Sequence, residues 1–403
     1  MALMPVDTAL AEILADLDPL PAETVAIGEA DGRVLAAALS ARRSQPEADM
    51  SAMDGYAVAS DALPGLPARL RVIGTSAAGH PFQGRVGAGE AVRIFTGALV
   101  PAGADTVVIQ ENTSRDGDDV TLIAATGAGR NVRLAGFDFA AGGLLLPAGH
   151  RLDARSLMLA AAGNLAELPV RRRPRIAILQ TGDELVRPGD ATGAASEVVV
   201  SNVYGLAALC RAAGAHVDDL GLVRDDMDAT RSAVRDAASR GYDILVTSGG
   251  ASVGEHDLIA PALRAEGIAL SVHKIALRPG KPLMFGRRAD LRVLGLPGNP
   301  VSAYVCALLF LVPLVNALQG AAPGPNRRPA RLAAPVRAND GRRDYMRART
   351  TPSADGGLAV APFATQDSAM LSVLAQADCL LIREPNAPPG EPGDGCEIIP
   401  FNA

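Results

Sequence analysis

Between residues 176 and 318 short apolar runs alternate with longer stretches of helical spacing. Segments 176–180, 217–222, 243–247 and 292–296 read as strands. Segments 202–213, 227–239, 257–265 and 301–318 between and after them read as helices. Buried strands alternating with amphipathic helices predict a parallel sheet covered by helices.

The flanking regions have other textures. Residues 7–40 predict a helix, with Leu10, Ile13, Leu14 and Leu17 on one face and Asp7 as N-cap. A short strand near 23–27 and a second helix from Asp31 follow. From 42 to 147, β-rich runs at 70–73, 91–94, 106–109 and 120–124 alternate with Gly, Pro and Asp turns. Segment 151–168 is helical again, so the β region reads as an insertion. Residues 171–175, with four arginines, read as a solvated linker. A second linker at 323–329 precedes a short β module.

The fold class is thus multi-domain α/β. A helical linker domain spans 1–45 and 142–173, and the inserted β domain spans 46–141. The α/β domain spans 174–322, and the C-terminal β domain spans 329–403.

Composition narrows the function. The 403 residues are 48% hydrophobic and 3% aromatic, without Trp, and carry a net charge of −6. An acidic chain poor in stacking platforms argues against a nucleic-acid partner, so any anion site is a local cluster of cations. Cys210, Cys306, Cys379 and Cys396 lack metal or disulfide spacing, which fits a reducing cytoplasm. Residues 1–20 carry acids where a signal peptide carries a basic segment. Segment 301–318 is borderline in length for a membrane span, and Pro313 and Asn316 interrupt it, so a buried core helix is expected.

Candidate chemistry gathers in the loops after the strands. Residues 247–257, Thr-Ser-Gly-Gly-Ala-Ser-Val-Gly-Glu-His-Asp, place bare N–H groups of a glycine turn beside a helix start, where an oxyanion is well received. In an open parallel sheet the four strand-end loops share one edge, the usual ligand crevice. Glu184, Asp225 and Asp257 would meet there. Three carboxylates repel one another unless a cation sits between them, and Mg²⁺ held with substrate phosphates suits oxygen ligands. Lys274, Arg278 and Lys281, in a turn stiffened by Pro279, Gly280 and Pro282, supply the opposite sign and suit a tetrahedral oxyanion.

Several motifs occur together and in order. They are Ser-Ala-Met-Asp-Gly-Tyr-Ala at 51–57, Thr-Gly-Ala at 96–98, Thr-Gly-Asp-Glu-Leu at 181–185 and Ser-Gly-Gly-Ala-Ser-Val-Gly at 248–254. Pro-Gly-Lys-Pro at 279–282 and Leu-Pro-Gly-Asn-Pro-Val-Ser at 296–302 complete the set. The chain resembles the molybdopterin molybdenumtransferases, the MoeA family that includes the gephyrin E domain, over essentially its whole length.

The resemblance implies a homodimer with its site between subunits. It also implies conversion of adenylylated molybdopterin and molybdate to molybdenum cofactor and AMP, with Mg²⁺ required. Matched by position, Glu184, Asp225 and Asp257 hold the metal, and Gly249, Gly250, Ser252 and Pro297 belong to the substrate loops. Lys274, Arg278 and Lys281 form the basic segment. Asp54, Thr96 and Asp138 lie on the inserted β domain, with Asp54 orienting a water or accepting a proton. Ser302, Arg347 and Ser368 surround the molybdate.

Three positions depart from the family pattern. Arg278 stands where lysine is commoner, Val200 where an acid precedes the Ser-Asn pair, and Phe137 where the pattern is more polar. Two other functions share the fold: adenylylation of molybdopterin by the α/β unit alone, and a non-catalytic scaffold. The intact Asp54, Thr96 and oxyanion set favours molybdenum insertion over both.

Overall fold

A computed structural model describes residues 3–63, 65–124, 127–249, 258–353 and 356–401. The chain forms two compact units. Met1–Glu23, Gly32–Ala36 and Arg171–Ala403 make the first, and Thr24–Asp31 and Ala37–Val170 the second. This division is coarser than the four-part expectation and assigns the helix Val6–Leu14 to the first unit.

The first unit is built on a six-stranded sheet. Its order is His216–Val223, Arg175–Thr181, Ile244–Ser248, Leu291–Leu296, Pro282–Arg288, Ala269–Lys274. The first four strands are parallel, Pro282–Arg288 runs opposite to them, and Ala269–Lys274 pairs antiparallel with Pro282–Arg288. Alternation divides the interior strand Arg175–Thr181 between two cores. Ile176 and Ile178 pack with helices Val6–Leu14, Asn202–Ala212 and Pro300–Leu318. Ala177 and Leu179 pack with Met227–Ser239 and Ile259–Ala265. Burial on both faces is why these strands read as continuous apolar runs.

Register brings the strand ends level. Thr181 lies beside Val223, Gln180 beside Ser248, and Ser248 beside Leu296. The loops that follow therefore leave from one edge.

A closed five-stranded barrel completes this unit. Arg343–Pro352, Leu358–Pro362, Arg328–Leu332, Gly395–Pro400 and Cys379–Arg383 pair in that order, and the last pairs back to the first. Closure removes the exposed strand edges. Tyr345, Leu380, Ile382 and Ile399 of the barrel share a core with Pro300–Leu318, so module and sheet are packed together. The two-residue strand Leu277–Arg278 also pairs in parallel with Arg343 and Asp344.

The second unit carries a sheet in the order Thr106–Ile109, Gly55–Val58, Glu90–Ile94, Ala68–Ser76, Asp119–Leu122, Thr113–Asp116. The runs at 70–73, 91–94 and 106–109 fall within it, and the run at 120–124 does so as far as Leu122.

Several local expectations are corrected. No helix starts at Asp31: Gly32 takes a φ of +69°, and the following backbone is held from a distance. Arg171 N–H donates to Val34 O at 2.8 Å, and Arg33 Nη2 to Arg171 O at 2.8 Å, so these long-range bonds override helical propensity. Asp7 is not an N-cap; it sits in the first turn and receives Arg343 Nη1 at 2.8 Å.

The helix expected over 151–168 covers only Ala154–Ala162. Asn164, at a φ of +62°, closes it: Asn164 N–H donates to Ala161 O and Leu165 N–H to Ala160 O, a Schellman ending. A strand, Glu167–Arg171, follows.

The arginine run is not a solvated linker. Arg172 donates through two nitrogens to Asp243, at 2.8 and 3.0 Å, and Arg175 N–H reaches the same carboxylate at 2.7 Å. Asp243 is only 7% exposed, and a buried carboxylate must be paired.

Pro300–Leu318 is long and apolar enough to cross a membrane, yet 72% of it is buried inside the protein. Pro313 lacks the N–H that would close an α-turn, and the ladder widens to a π-turn over Ala307–Leu311.

Candidate active site

A cavity of about 1040 Å³ opens at the carboxyl edge of the parallel strands. Glu184 and Asp225 line it from the first two strand ends, and Gly249 and Pro297 from the next two. Arg278 and Lys281 approach from the basic turn, and Ser302 and Ser368 from the helix start and the barrel side. Eight residues separated by up to 184 positions in sequence thus meet at one edge.

Each wall has a local cause. Gly249 turns the chain at a φ of +100°, a conformation costly for any residue with a Cβ. Gly280, at +111°, sits so close to the helix that a Cβ there would lie 2.5 Å from Cys306 Sγ. This close approach pins Lys281 at the cavity wall. Asp226 caps the helix Met227–Ser239 by accepting from Ala229 N–H at 2.8 Å, which leaves its neighbour Asp225 to face the cavity. Asp225 N–H is held in turn by Asp183 Oδ1 at 3.2 Å.

The cavity has a polar floor that the sequence reading overlooked. Asn202 Nδ2 donates to Ser248 Oγ and to Gly298 O, each at 2.8 Å. Asn202 Oδ1 and Gln180 Nε2 are buried there without a partner among the described residues. A buried amide left unpaired costs about 1–3 kcal/mol, so both atoms suit a polar ligand. Gln180 was visible as the one polar side chain inside an otherwise apolar strand. Asn299 is a further omission: its Nδ2 donates to Ser368 Oγ at 3.1 Å and ties the helix start to the barrel side.

The expected cations are not equivalent. Arg278 donates to Asp344 through Nε and Nη2 and to Asn339, and it pairs with Asp340 at 3.3 Å. Its charge is balanced inside the protein, so the free oxyanion clamp expected at this position is not what the structure shows. Lys281 is exposed at the cavity wall and has no carboxylate partner among the described residues. Lys274 is exposed but does not line the cavity.

Arg347 is 1% exposed and lies behind the wall, not in it. Its Nη2 donates to Asp367 O at 2.9 Å, its backbone is clasped by Gln366, and its Nε is buried without a partner among the described residues. Burial pulls this guanidinium below its ordinary pKa.

Asp54 and Thr96 meet in the second unit. Thr96 donates to Asp54 Oδ1 through its N–H at 2.7 Å and its hydroxyl at 2.8 Å. These bonds, with a smaller contribution from Arg93, hold the Asp54 carboxyl below its ordinary range. Asp138 is exposed in the same unit, its N–H donating to Gln45 O at 2.9 Å. Gly250, Ser252 and Asp257 lie outside the described residues. Among the described residues no group of three or more His, Cys, Asp or Glu is placed to hold a metal.

Comparisons with known proteins identify the family. The chain matches the MoeA N-terminal region (domain I and II) over residues 4–163. It matches a probable molybdopterin binding domain over 177–317 and the MoeA C-terminal region (domain IV) over 329–401. It is 34% identical over 408 residues to a molybdopterin molybdenumtransferase of Haemophilus influenzae, covering 99% of each chain. A protein of the same name from Nostoc sp. is 37% identical over 309 residues, covering 75% of this chain and 70% of the relative. The crystal structure of a molybdopterin biosynthesis MoeA protein from Pyrococcus horikoshii superposes with a TM-score of 0.82 at 28% identity, covering all of both chains. By these matches the chain belongs to the molybdopterin molybdenumtransferase family, transferases of molybdenum cofactor biosynthesis.

Proposed function

We propose that the cavity at the carboxyl edge takes adenylylated molybdopterin and molybdate and yields molybdenum cofactor and AMP. The observation that carries this reading is the mixed lining of one large cavity. Glu184 and Asp225 face it from one side, Lys281 stands on the wall, and the glycine turn at Gly249 lies between strand ends. Such a site can receive phosphates and a second anion at once.

Two carboxylates plus substrate phosphates are a common magnesium environment, so Glu184 and Asp225 fit the ion as its protein ligands. When bound, Mg²⁺ would polarise the phosphoryl bond that breaks on AMP release. The protein's own groups do the remaining work. Lys281, Ser302 and Ser368 offer donors to a tetrahedral dianion, while Gln180 and Asn202 offer amide groups to the polar edge of the organic substrate. Asp54, held ionised by Thr96, is suited to orient a water or accept a proton.

The active form is proposed to be a homodimer in which Asp54 of one copy serves the cavity of the other. Calorimetric titration with adenylylated molybdopterin tests the site. Lys281→Glu should weaken binding by about tenfold or more, because a favourable contact becomes a repulsive one. Unaltered affinity in that variant would place the substrate elsewhere.

A further inference from the structure

We propose that Arg93 is a positioning residue for Asp54, an inference that rests on the reading of Asp54 given above. Arg93 is the register partner of Tyr56 in the antiparallel pair of Gly55–Val58 with Glu90–Ile94. Its guanidinium carbon lies 5.2 Å from the Tyr56 ring centroid and 4.7 Å from that of Phe95. Nη1 donates to Gly55 O at 3.1 Å, and Nη2 to Gln110 Oε1 at 2.8 Å. Gln110 N–H in turn donates to Asp54 O at 3.1 Å.

One side chain therefore joins the three segments that define Asp54. These are the 55–56 peptide that follows it, the turn beginning at Gln110, and the strand end that leads to Thr96. Thr96 places both of its donors on a single Asp54 oxygen, Oδ1. The other oxygen is thereby aimed by the frame that Arg93 braces.

The chemistry requires arginine at this position. A planar fork reaches two acceptors at once while lying against aromatic faces, whereas an ammonium is a compact point charge on a flexible stem. Arg93 makes no ion pair with Asp54 among the described residues, so it acts as a nearby charge and a brace, not as a proton partner. Its charge also acts on the Asp54 carboxyl in the direction that keeps it ionised.

The test combines a carboxyl NMR titration of Asp54 with pH–rate profiles of the full-length protein and its Arg93→Gln and Arg93→Lys variants. Arg93→Gln should raise the Asp54 titration and move the acid limb of the rate profile to higher pH. Its turnover should fall by about ten- to a hundredfold, the scale of a misplaced reacting group. Arg93→Lys should keep the titration near that of the parent protein but still lose turnover, because charge survives and the fork does not. If both variants lower turnover equally at every pH with the Asp54 titration unmoved, Arg93 is only structural and the proposal falls. Should either variant not fold, Gln110→Ala leaves Arg93 in place, and unchanged turnover there would overturn the bracing role. Full activity in Asp54→Asn would instead remove the reading on which the inference stands.

Discussion

Arg278 and Asp344 face each other across two paired strands, and the guanidinium donates twice to one carboxylate oxygen, at 3.0 Å from Nε and 2.6 Å from Nη2. The pair joins the basic turn of the cavity to the first barrel strand. It also spends a charge that looked available to substrate. In the sequence the three cations of 274–282 are equivalent; in the structure one braces, one faces outward and Lys281 faces the cavity.

Arg278→Ala should therefore act on stability more than on substrate. Asp344 keeps only 11% of its side chain exposed, whereas Arg278 keeps 40%, so solvent screens part of the pair. The loss should be about 1–2 kcal/mol in urea unfolding. Molybdate dependence should change less than in Lys281→Ala, as titration of each variant would show. The reverse order would return Arg278 to the oxyanion.

Gly280→Ala probes how the turn is pinned. The substitution forces a Cβ into a φ of +111° and to 2.5 Å from Cys306 Sγ. Strain and overpacking together should cost about 2–4 kcal/mol. Adding Cys306→Ala should recover the clash but not the backbone strain. Thermal unfolding of the two variants separates the terms, and no recovery in the double variant would mean the helix is not what pins the turn.

Asp340 gives the pH dependence. Bonds from Arg342 hold its carboxyl down to about 2, from an ordinary 3.8. The folded-state pKa is depressed, so the contribution to stability is complete above about 3.8 and disappears as pH falls toward 2. Asp340→Asn should be less stable than the parent protein at pH 6 and indistinguishable from it near pH 2. A deficit that persists at the acid end would assign the effect to something other than this charge. Because 45% of the Asp340 side chain is open to solvent, the deficit should be small and shrink with salt.

Much of the fold was legible because burial writes itself into apolar spacing. Asn202–Ala212, Met227–Ser239 and the parallel strands stand within a residue or two of where their patterns place them. Two of the misses share one cause, which is partners distant in sequence. Arg171 is distant from the segment after Asp31, and Asp243 from Arg172, so composition reads the first as helix and the second as linker. The cavity was legible where motifs stand at strand ends, as at Glu184, Asp225, Gly249 and Pro297. It was not legible at Gln180 or Asn202, whose spare amide atoms become meaningful only once burial is known. Nor does spacing reveal that Arg347 sits behind the wall.

The proposed sharing of Asp54 between copies makes a numerical prediction. Asp54→Ala and Glu184→Ala chains, each inactive alone, should recover about a quarter of parental activity when mixed and allowed to exchange. Random exchange makes half the molecules heterodimers, each with one intact site of two. No recovery, with exchange verified by mass, would mean that Asp54 serves its own chain or neither.

The most direct test of the central claim is AMP release by the purified protein supplied with adenylylated molybdopterin, with molybdate and Mg²⁺ each added or withheld. The account predicts rapid release, matched by molybdenum cofactor formation, only when both are present. It further predicts that Asp225→Asn needs about tenfold or more Mg²⁺ to reach the same rate, through loss of one hard ligand. Release that proceeds equally without molybdate, or an Asp225→Asn variant with unchanged magnesium dependence, would contradict molybdenum insertion at this cavity.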